Sequence, residues 1–382
     1  YAGNYKYDTT VDQRSSLDSS YFRAAAAARF LGRPYMITEY SHSAFNKFRH
    51  ERGLYFGSYA ALQGWDTLTA HANTVRLKFD PFLKFENGLD PISVASEAVT
   101  FLAFLRGDVK EAPHSVELKL NREKLFPKNY LCSIGDDYAK LALVTKIGVS
   151  YSEGGPFTKV GKANPAIVLE PEKFTFLKVS QWYVQADAKG AGGADPLYKL
   201  LRQKNILPKS NLSNPSERLF QSETGELTLE SGAKTMQVVT PRLEGAIIKR
   251  NKPVKLSAMS ISSCSRPASI TAASLNGSET LRNSKHILLT VATNAFNTGM
   301  VFDNSKMRIC YESGNVPALI QSVKSQIILD TVNTASPKVY ALNMDGSREV
   351  ELPVKFDNGQ LILNLDTSKL KYGTPYFEII YQ

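Results

Sequence analysis

The stretch RPYMITEYSHSAFNKFRHERGLYFGSYAALQGWD, Arg33 to Asp66, sets a lone carboxylate, Glu39, at the end of a short apolar run and then changes its period. Tyr35 to Thr38 is apolar and β-branched, with Pro34 before it and Ser41, His42 and Ser43 after it, which predicts a fully buried parallel strand. From about Arg49 to Gln63, Leu54, Tyr55, Ser58, Tyr59 and Leu62 recur at helical spacing. Upstream, the Ala-rich SSYFRAAAAARFL, Ser19 to Leu31, predicts a helix that Gly32-Arg33-Pro34 ends. Downstream, TLTAHAN, Thr67 to Asn73, predicts another short strand. Helix, strand, helix, strand is the order of βα units, which build parallel sheets and barrels. Chemistry in a barrel gathers at the carboxyl ends of the strands, where the following loops converge, and Glu39 stands at such an end. A carboxylate there also serves as a cap or ion-pair partner of the next helix, and spacing alone leaves both roles open.

The chain has 382 residues, 43% of them hydrophobic, enough for two or three domains around a large core. Its 46 basic and 36 acidic residues give a formal net charge of +10, spread along the chain with no block of five or six like charges. That balance suits a mildly basic surface meeting acidic polymers. It does not suit a nucleic-acid groove, because basic and aromatic residues are not interleaved in any recognisable module. No run of eighteen apolar residues occurs, so no membrane span is expected. Cys132, Cys264 and Cys310 stand apart and read as small buried hydrophobes, and the five His are scattered singly, so neither a metal nor a cofactor is expected. No GxSxG elbow is present, which removes the serine-hydrolase reading. The opening YAGNYKYDTTVDQ lacks the pattern of a signal peptide.

Beyond the opening segment the composition shifts. SVELKLN (Ser115 to Asn121) and KLALVTKIGVSY (Lys140 to Tyr151) alternate apolar and polar residues and read as strands, with Gly154-Gly155-Pro156 as a turn. A loop over Asp187 to Asp195 leads to a short helix around Pro196 to Gln203, and KSNLSNPSE (Lys209 to Glu217) reads as a linker or a site-facing loop. From Leu219 onward short strands such as TMQVVTPR, ILLTVAT, SQIILD and QLILNLD follow at close spacing, divided by turns such as Met344-Asp345-Gly346, a β-sandwich pattern.

Arg33-Pro34, Ile37-Thr38-Glu39-Tyr40, Asn46, Glu51 and the run Ser58 to Asp66 together resemble the last third of a (β/α)8 glycoside hydrolase of clan A, the group of cellulases, mannanases and β-galactosidases. FLAFLRGDVKEAP, Phe101 to Pro113, is similar to the exit from their barrel, and Ser274 to Phe302 to their C-terminal β-sandwich. The resemblance implies an α/β plus all-β chain. Residues 1–106 would be the C-terminal portion of a TIM barrel, about strands 7 and 8, 107–218 an intermediate β-rich region with a short helix, and 219–382 a C-terminal β-sandwich. It implies that Glu39, in the T-E-Y context at the end of the seventh strand, is the nucleophile of a retaining glycosidase acting on β-linked oligo- or polysaccharide, outside the cell or in the periplasm. Such enzymes need two carboxyl groups about 5–5.5 Å apart, one to attack the anomeric carbon and one to protonate the leaving oxygen.

Tyr40, His42, Asn46, Arg49 and Glu51 are the sugar-competent groups beside Glu39, with Tyr1 and Tyr5 as further candidates for its surroundings. Glu51 is equally placed to sit in the first turn of the next helix, and Phe45 and Phe48 to tuck the loop down. Trp65, Gln63 and Asp66 read as core. At the carboxyl end of the next strand stand His71 and Asn73, where many clan members carry an aromatic. The larger departure is that the clan's general acid, a Glu directly after Asn, has no counterpart, because no Asn-Glu pair occurs in the chain. Two strands cannot close a barrel, so the resemblance implies a partner, the N-terminal half of the same enzyme. The alternative is a noncatalytic carbohydrate-binding or assembly subunit.

Overall fold

The computed structural model describes residue 11 and residues 13–71, 80–84, 86–121, 130–151, 164–171, 174–178 and 193–381. Its first helix, α1 (Tyr21–Ala27), leads to β1 (Met36–Tyr40), α2 (Arg52–Gln63) and β2 (Thr67–Ala70), followed by α3 (Pro91–Thr100), which runs on as a π-helical turn over Phe101–Leu105. Every residue of α2 is buried. Two glycines one turn apart allow this on the side of α3: a Cβ on Gly53 would lie 2.4 Å from the Ser96 carbonyl oxygen, and one on Gly57 would lie 2.9 Å from Thr100 Cα. Gly64 then ends the helix at φ 58° and ψ 46°, the left-handed cap that glycine adopts without a Cβ clash. On the flank toward α1, Tyr55, Phe56 and Tyr59 of α2 meet Phe22, and Trp65 closes on the same ring at 5.1 Å.

The described sheets are mainly antiparallel. A nine-stranded sheet runs, in spatial order, Arg348–Leu352, Pro337–Leu342, Tyr376–Tyr381, His286–Ala292, Ala268–Ser274, Leu243–Ile248, Thr235–Val239, Leu227–Glu230 and Leu219–Gln221. A five-stranded sheet runs Val254–Lys255, Met259–Cys264, Lys324–Asp330, Gln360–Asp366 and Lys355–Asp357. At its centre the nine-stranded sheet is covered on both faces, so Leu243–Ile248 is buried at all six positions and Ala268–Ser274 at all seven. Alternation sends Leu243 and Ile247 into the core shared with the helices, and Ala246 and Ile248 into the core shared with Ile261, Ile327 and Leu363 of the five-stranded sheet. Between them Gly245 leaves room for Leu54 of α2, whose methyls stand 3.0 and 3.1 Å from where a Cβ would be. A small parallel sheet, with Ser115–Leu120 between Lys146–Tyr151 and Ile167–Leu169, joins the helical core. Over Lys140–Leu143, where a strand was expected, the chain makes a 3₁₀ turn, and the strand begins only at Lys146.

No portion of a (β/α)8 barrel is evident among the described residues. Strand makes up 37% of the structure and helix 20%, with five short α-helices among the described residues, and the sheets are mainly antiparallel. β1 and β2 do pair in parallel, Met36 with Thr67 and Ile37 with Leu68, but among the described residues this sheet has only these two strands. Nor is β1 fully buried: Met36, Thr38 and Glu39 are exposed, as are Thr67 and Thr69 of β2. Ile37, Leu68 and Ala70 pack on the helical core while the opposite face has no cover among the described residues. Helix and strand alternate locally, but what those strands pair with is decided by distant chain, and that chain forms antiparallel sheets.

The register of β1 against β2 shifts between Ile37 and Tyr40, as at a β-bulge. In an unbroken strand Glu39 would share the inner face with Ile37. The extra residue turns Glu39 outward with Thr38 and returns Tyr40 to the core, giving the exposure pattern of this strand. Gln63 and Trp65 are buried as expected, but Asp66 is exposed and accepts a hydrogen bond from the Tyr35 amide at 2.8 Å. Cys264 and Cys310 are buried free thiols whose pKa is pushed up, chiefly by burial. No helix among the described residues is long and apolar enough to cross a membrane.

Candidate functional site

The carboxyl ends of β1 and β2 lie side by side, and the His71 amide extends the pairing with a 3.0 Å hydrogen bond to the Tyr40 carbonyl. This places the imidazole beside the residue that the bulge turns outward: His71 Nδ1 is 3.5 Å from Glu39 Oε1. The Glu39 side chain is 69% exposed. Its backbone is held, since the Tyr21 hydroxyl at the start of α1 donates to the Glu39 carbonyl at 2.6 Å. Burial, then Glu39, raise the Tyr21 pKa, so the phenol keeps the proton it donates.

These three residues form one wall of a cavity of about 170 Å³ whose other lining residues are Ser41, His42, Ser43 and Asn87. His42 and Asn87 are 8% and 3% exposed. Ser41 Oγ donates to the His42 carbonyl at 2.6 Å and lies 3.2 Å from Asn87 Oδ1, which fixes the loop against the segment before α3. His42 Nε2 lies 2.8 Å from Ser16 Oγ. Burial, reinforced by Arg52, His50 and Arg49, lowers the His42 pKa to about 3, so the ring is neutral, with one nitrogen donating and the other accepting. Three buried polar atoms of this floor, His42 Nδ1, Ser43 Oγ and Asn87 Nδ2, have no hydrogen-bond partner among the described residues. Buried polar groups in folded proteins are almost always paired, and these are three of fifteen buried side-chain atoms without a partner among the described residues.

Of the residues selected from sequence, Glu39, His42 and His71 come together here. Tyr40 does not: it is buried on the other side of the bulge, beneath the Arg52 guanidinium and 5.2 Å from the Phe56 ring. Asn46 spends its amide on the backbone, donating to the Arg14 carbonyl and accepting from the Phe48 amide. Arg49 is wholly buried in an ion pair with Asp90 at 2.6 Å and donates to Asn294 Oδ1 and the Ala295 carbonyl, bracing the helices against the sheet domain. Glu51 is buried where Ser15 Oγ and the Ser16 amide donate to it, and burial raises its pKa to about 7. Phe45 is buried, and Phe48 lies beneath Lys47 and Lys234, both packing the loop down. Tyr1, Tyr5 and Asn73 lie outside the described residues.

Tyr21, Ser41, Ser43 and Asn87 were not singled out as site residues. Ser41 and Ser43 stand in sequence only as the polar end of a strand, and Asn87 is brought to them from 46 residues away. Among the described residues no other carboxylate lines the cavity, and no group of three or more His, Cys, Asp or Glu is placed to hold a metal ion. The arrangement can present an outward carboxylate at the rim and neutral hydrogen-bonding groups below it. No protein-family model matches the chain, and no curated protein matches it.

Proposed function

We propose that this chain carries the nucleophilic carboxylate, Glu39, of a retaining glycoside hydrolase acting on β-linked oligo- or polysaccharide, outside the cell or in the periplasm. One observation carries the reading: a register shift in β1 turns Glu39 out of the core onto the rim of a polar cavity. Bulges recur next to active sites because they re-aim a side chain. Glu39 attacks the anomeric carbon as the aglycone leaves, forming a glycosyl ester that water then hydrolyses. Tyr21 holds the strand end from the backbone, and His71, with Nδ1 3.5 Å from Oε1, is placed to orient the carboxylate edge. The general acid comes from another segment, seated against the bare face or edge of β1 and β2, where Met36 is 54% exposed.

A second reading, a noncatalytic carbohydrate-binding subunit, is favoured by the absence of a second carboxylate from the cavity lining among the described residues. Aryl β-glycosides with activated leaving groups separate the two, because their departure needs no general acid. The chain should turn these substrates over, Glu39→Gln should lower turnover by roughly three orders of magnitude or more, and a 2-deoxy-2-fluoro aryl glycoside should leave a mass increment on the peptide carrying Glu39. Equal turnover by the variant, or a label elsewhere, removes Glu39 from the mechanism. Binding without turnover in the unmodified chain establishes the second reading.

A further inference from the structure

Basic residues are spread along the sequence, yet the fold gathers a group of them at one end of the sandwich made by the nine- and five-stranded sheets. Lys249, Arg250 and Lys252 lie in the turn after Leu243–Ile248, where the Asn251 amide donates to the Cys264 carbonyl at 2.7 Å. Arg266 lies in the turn between Met259–Cys264 and Ala268–Ser274. Lys324 opens the strand Lys324–Asp330, its amide bonded to Ser265 Oγ at 2.9 Å and its carbonyl to the Ser265 amide at 2.8 Å. Lys369 and Lys371 follow Gln360–Asp366, and the Thr367 amide ties that turn to the Val323 carbonyl at 3.0 Å. All of these cationic side chains belong to exposed residues. We propose that this end of the sandwich is a docking face for an anionic polysaccharide, held through its uronate or sulfate groups. The proposal stands apart from the cavity and does not depend on Glu39 as a nucleophile.

The two ends of the sandwich differ in charge. Turns 249–253, 265–267 and 367–375 hold six cations and no acid, whereas turns 275–285 and 357–359 at the opposite end hold Arg282 and Lys285 against Glu279 and Asp357. Three acids temper the basic end: Lys252 Nζ is 3.5 Å from Glu230, Lys324 Nζ is 3.3 Å from Asp366, and Glu349 accepts from the Tyr372 amide at 3.2 Å. Lys249, Arg250, Arg266, Lys369 and Lys371 have no ion-pair partner among the described residues. Neighbouring strands lie about 4.8 Å apart and facing sheets about 10 Å, so these cations share a face roughly 20 Å across. Screening confines exposed charges to about 8 Å at physiological salt, so the turns reinforce one another while the far end, a strand's length away, adds nothing. A lipid surface fits poorly, because these turns expose no Leu, Ile, Phe or Trp to bury in it, and Leu370 packs on the sandwich core. Nucleic-acid strands are held by cations interleaved with rings on which bases stack, and the aromatic residue of these turns, Tyr372, lies beneath Lys371 at 5.0 Å. Five of the cations are Lys and two Arg, point charges more than the planar forks that grip phosphate. Asn251, Ser322 and Ser368 are exposed among them and offer hydrogen bonds to sugar hydroxyls.

The test is interferometric binding of the chain to immobilised polygalacturonate, chondroitin sulfate and dextran. The first two separate carboxylate from sulfate recognition, and the third is neutral. At least one polyanion should bind and dextran should not, with affinity falling about tenfold or more between roughly 50 and 200 mM salt. Lys249→Glu with Arg250→Glu, and separately Lys369→Glu with Lys371→Glu, should each weaken binding about tenfold or more. Because the two pairs sit in separate turns, one keeps the test alive should the other fail to fold. Lys285→Glu with Lys355→Glu, exposed residues toward the opposite end, makes the same change in net charge and should alter affinity by less than about twofold. Glu39→Gln should bind as the unmodified chain does, so failure to label Glu39 with a fluoroglycoside leaves this face untouched. The inference is overturned if neither polyanion binds, if the opposite-end pair weakens binding as much as the basic-end pairs, or if single-stranded DNA or phosphatidylserine vesicles bind as tightly as the better polysaccharide.

Discussion

Two polar clusters are built from the loop between β1 and α2, and they have opposite fates. Toward the sheet domain, Arg49 is matched by Asp90, Asn294 and the Ala295 carbonyl, and Glu51 by Ser15 and the Ser16 amide. Toward the cavity, His42, Ser43 and Asn87 each keep one buried atom without a partner. The residue types are alike and the stretch of chain is the same. The two clusters differ in whether the hydrogen-bonding capacity of these residues is used up, and an unpaired buried group costs stability wherever it lies, as at Arg52 Nε in the same stretch.

The brace should be the more fragile of the two. Asp90→Ala removes the partner of a fully buried guanidinium and also the side chain that caps α3 at the Ile92 amide, so it should cost about 3–5 kcal/mol by denaturant titration. A loss below about 1 kcal/mol would show that Arg49 finds other partners and that this cluster is as loosely matched as the cavity floor.

Acid should report on both clusters at once. Burial lowers His42 to about 3 and His50 to about 4, so in each case the unfolded chain takes up a proton that the folded chain refuses. Stability from these two groups is complete above their ordinary value near 6.5 and is lost as pH falls toward their folded values. Glu51 runs the other way. Raised to about 7, it holds a proton in the folded state that the unfolded chain releases above about 4.5, so its contribution fades as pH rises to 7. Between pH 6.5 and 4.5 two protons oppose one, and stability should fall on acidification by about 1.4 kcal/mol per pH unit. A flat profile from Tm scans across this window would mean that water reaches the imidazoles.

Local order was legible in the sequence and long-range pairing was not. The helical recurrence of Leu54, Tyr55, Ser58, Tyr59 and Leu62 located α2, and Pro34 with the β-branched run located β1, because both signals lie within a few residues. The barrel did not follow, since β1 and β2 find no third strand among the described residues and the chain beyond Leu219 pairs antiparallel. Of the His, Asn, Arg and Glu that the sequence groups after Glu39, His42 lines the cavity while Asn46, Arg49 and Glu51 turn to partners inside the fold. Arg49 meets Asn294 across 245 residues, and no local pattern announces such a contact. The bulge that sends Glu39 outward and Tyr40 inward exists only in the register with β2, so a strict two-residue alternation assigns both side chains to the wrong face.

The same substitution made once in each cluster gives the sharpest, though smallest, comparison. Ser15 Oγ donates to Glu51 at 2.7 and 2.9 Å in a buried setting, so Ser15→Ala strips a buried carboxyl of a donor and should cost about 1–3 kcal/mol. Ser43 Oγ is also buried but has no partner among the described residues, so Ser43→Ala removes a hydroxyl whose desolvation is unrewarded there and leaves only a small void. Its effect should lie between zero and a gain of about 1 kcal/mol. The two serines are 28 positions apart and chemically identical, so opposite signs in paired melts would follow from partner satisfaction alone. A loss at Ser43 equal to that at Ser15 would mean that the Ser43 hydroxyl has a partner within the folded chain, and the distinction between brace and cavity floor would disappear.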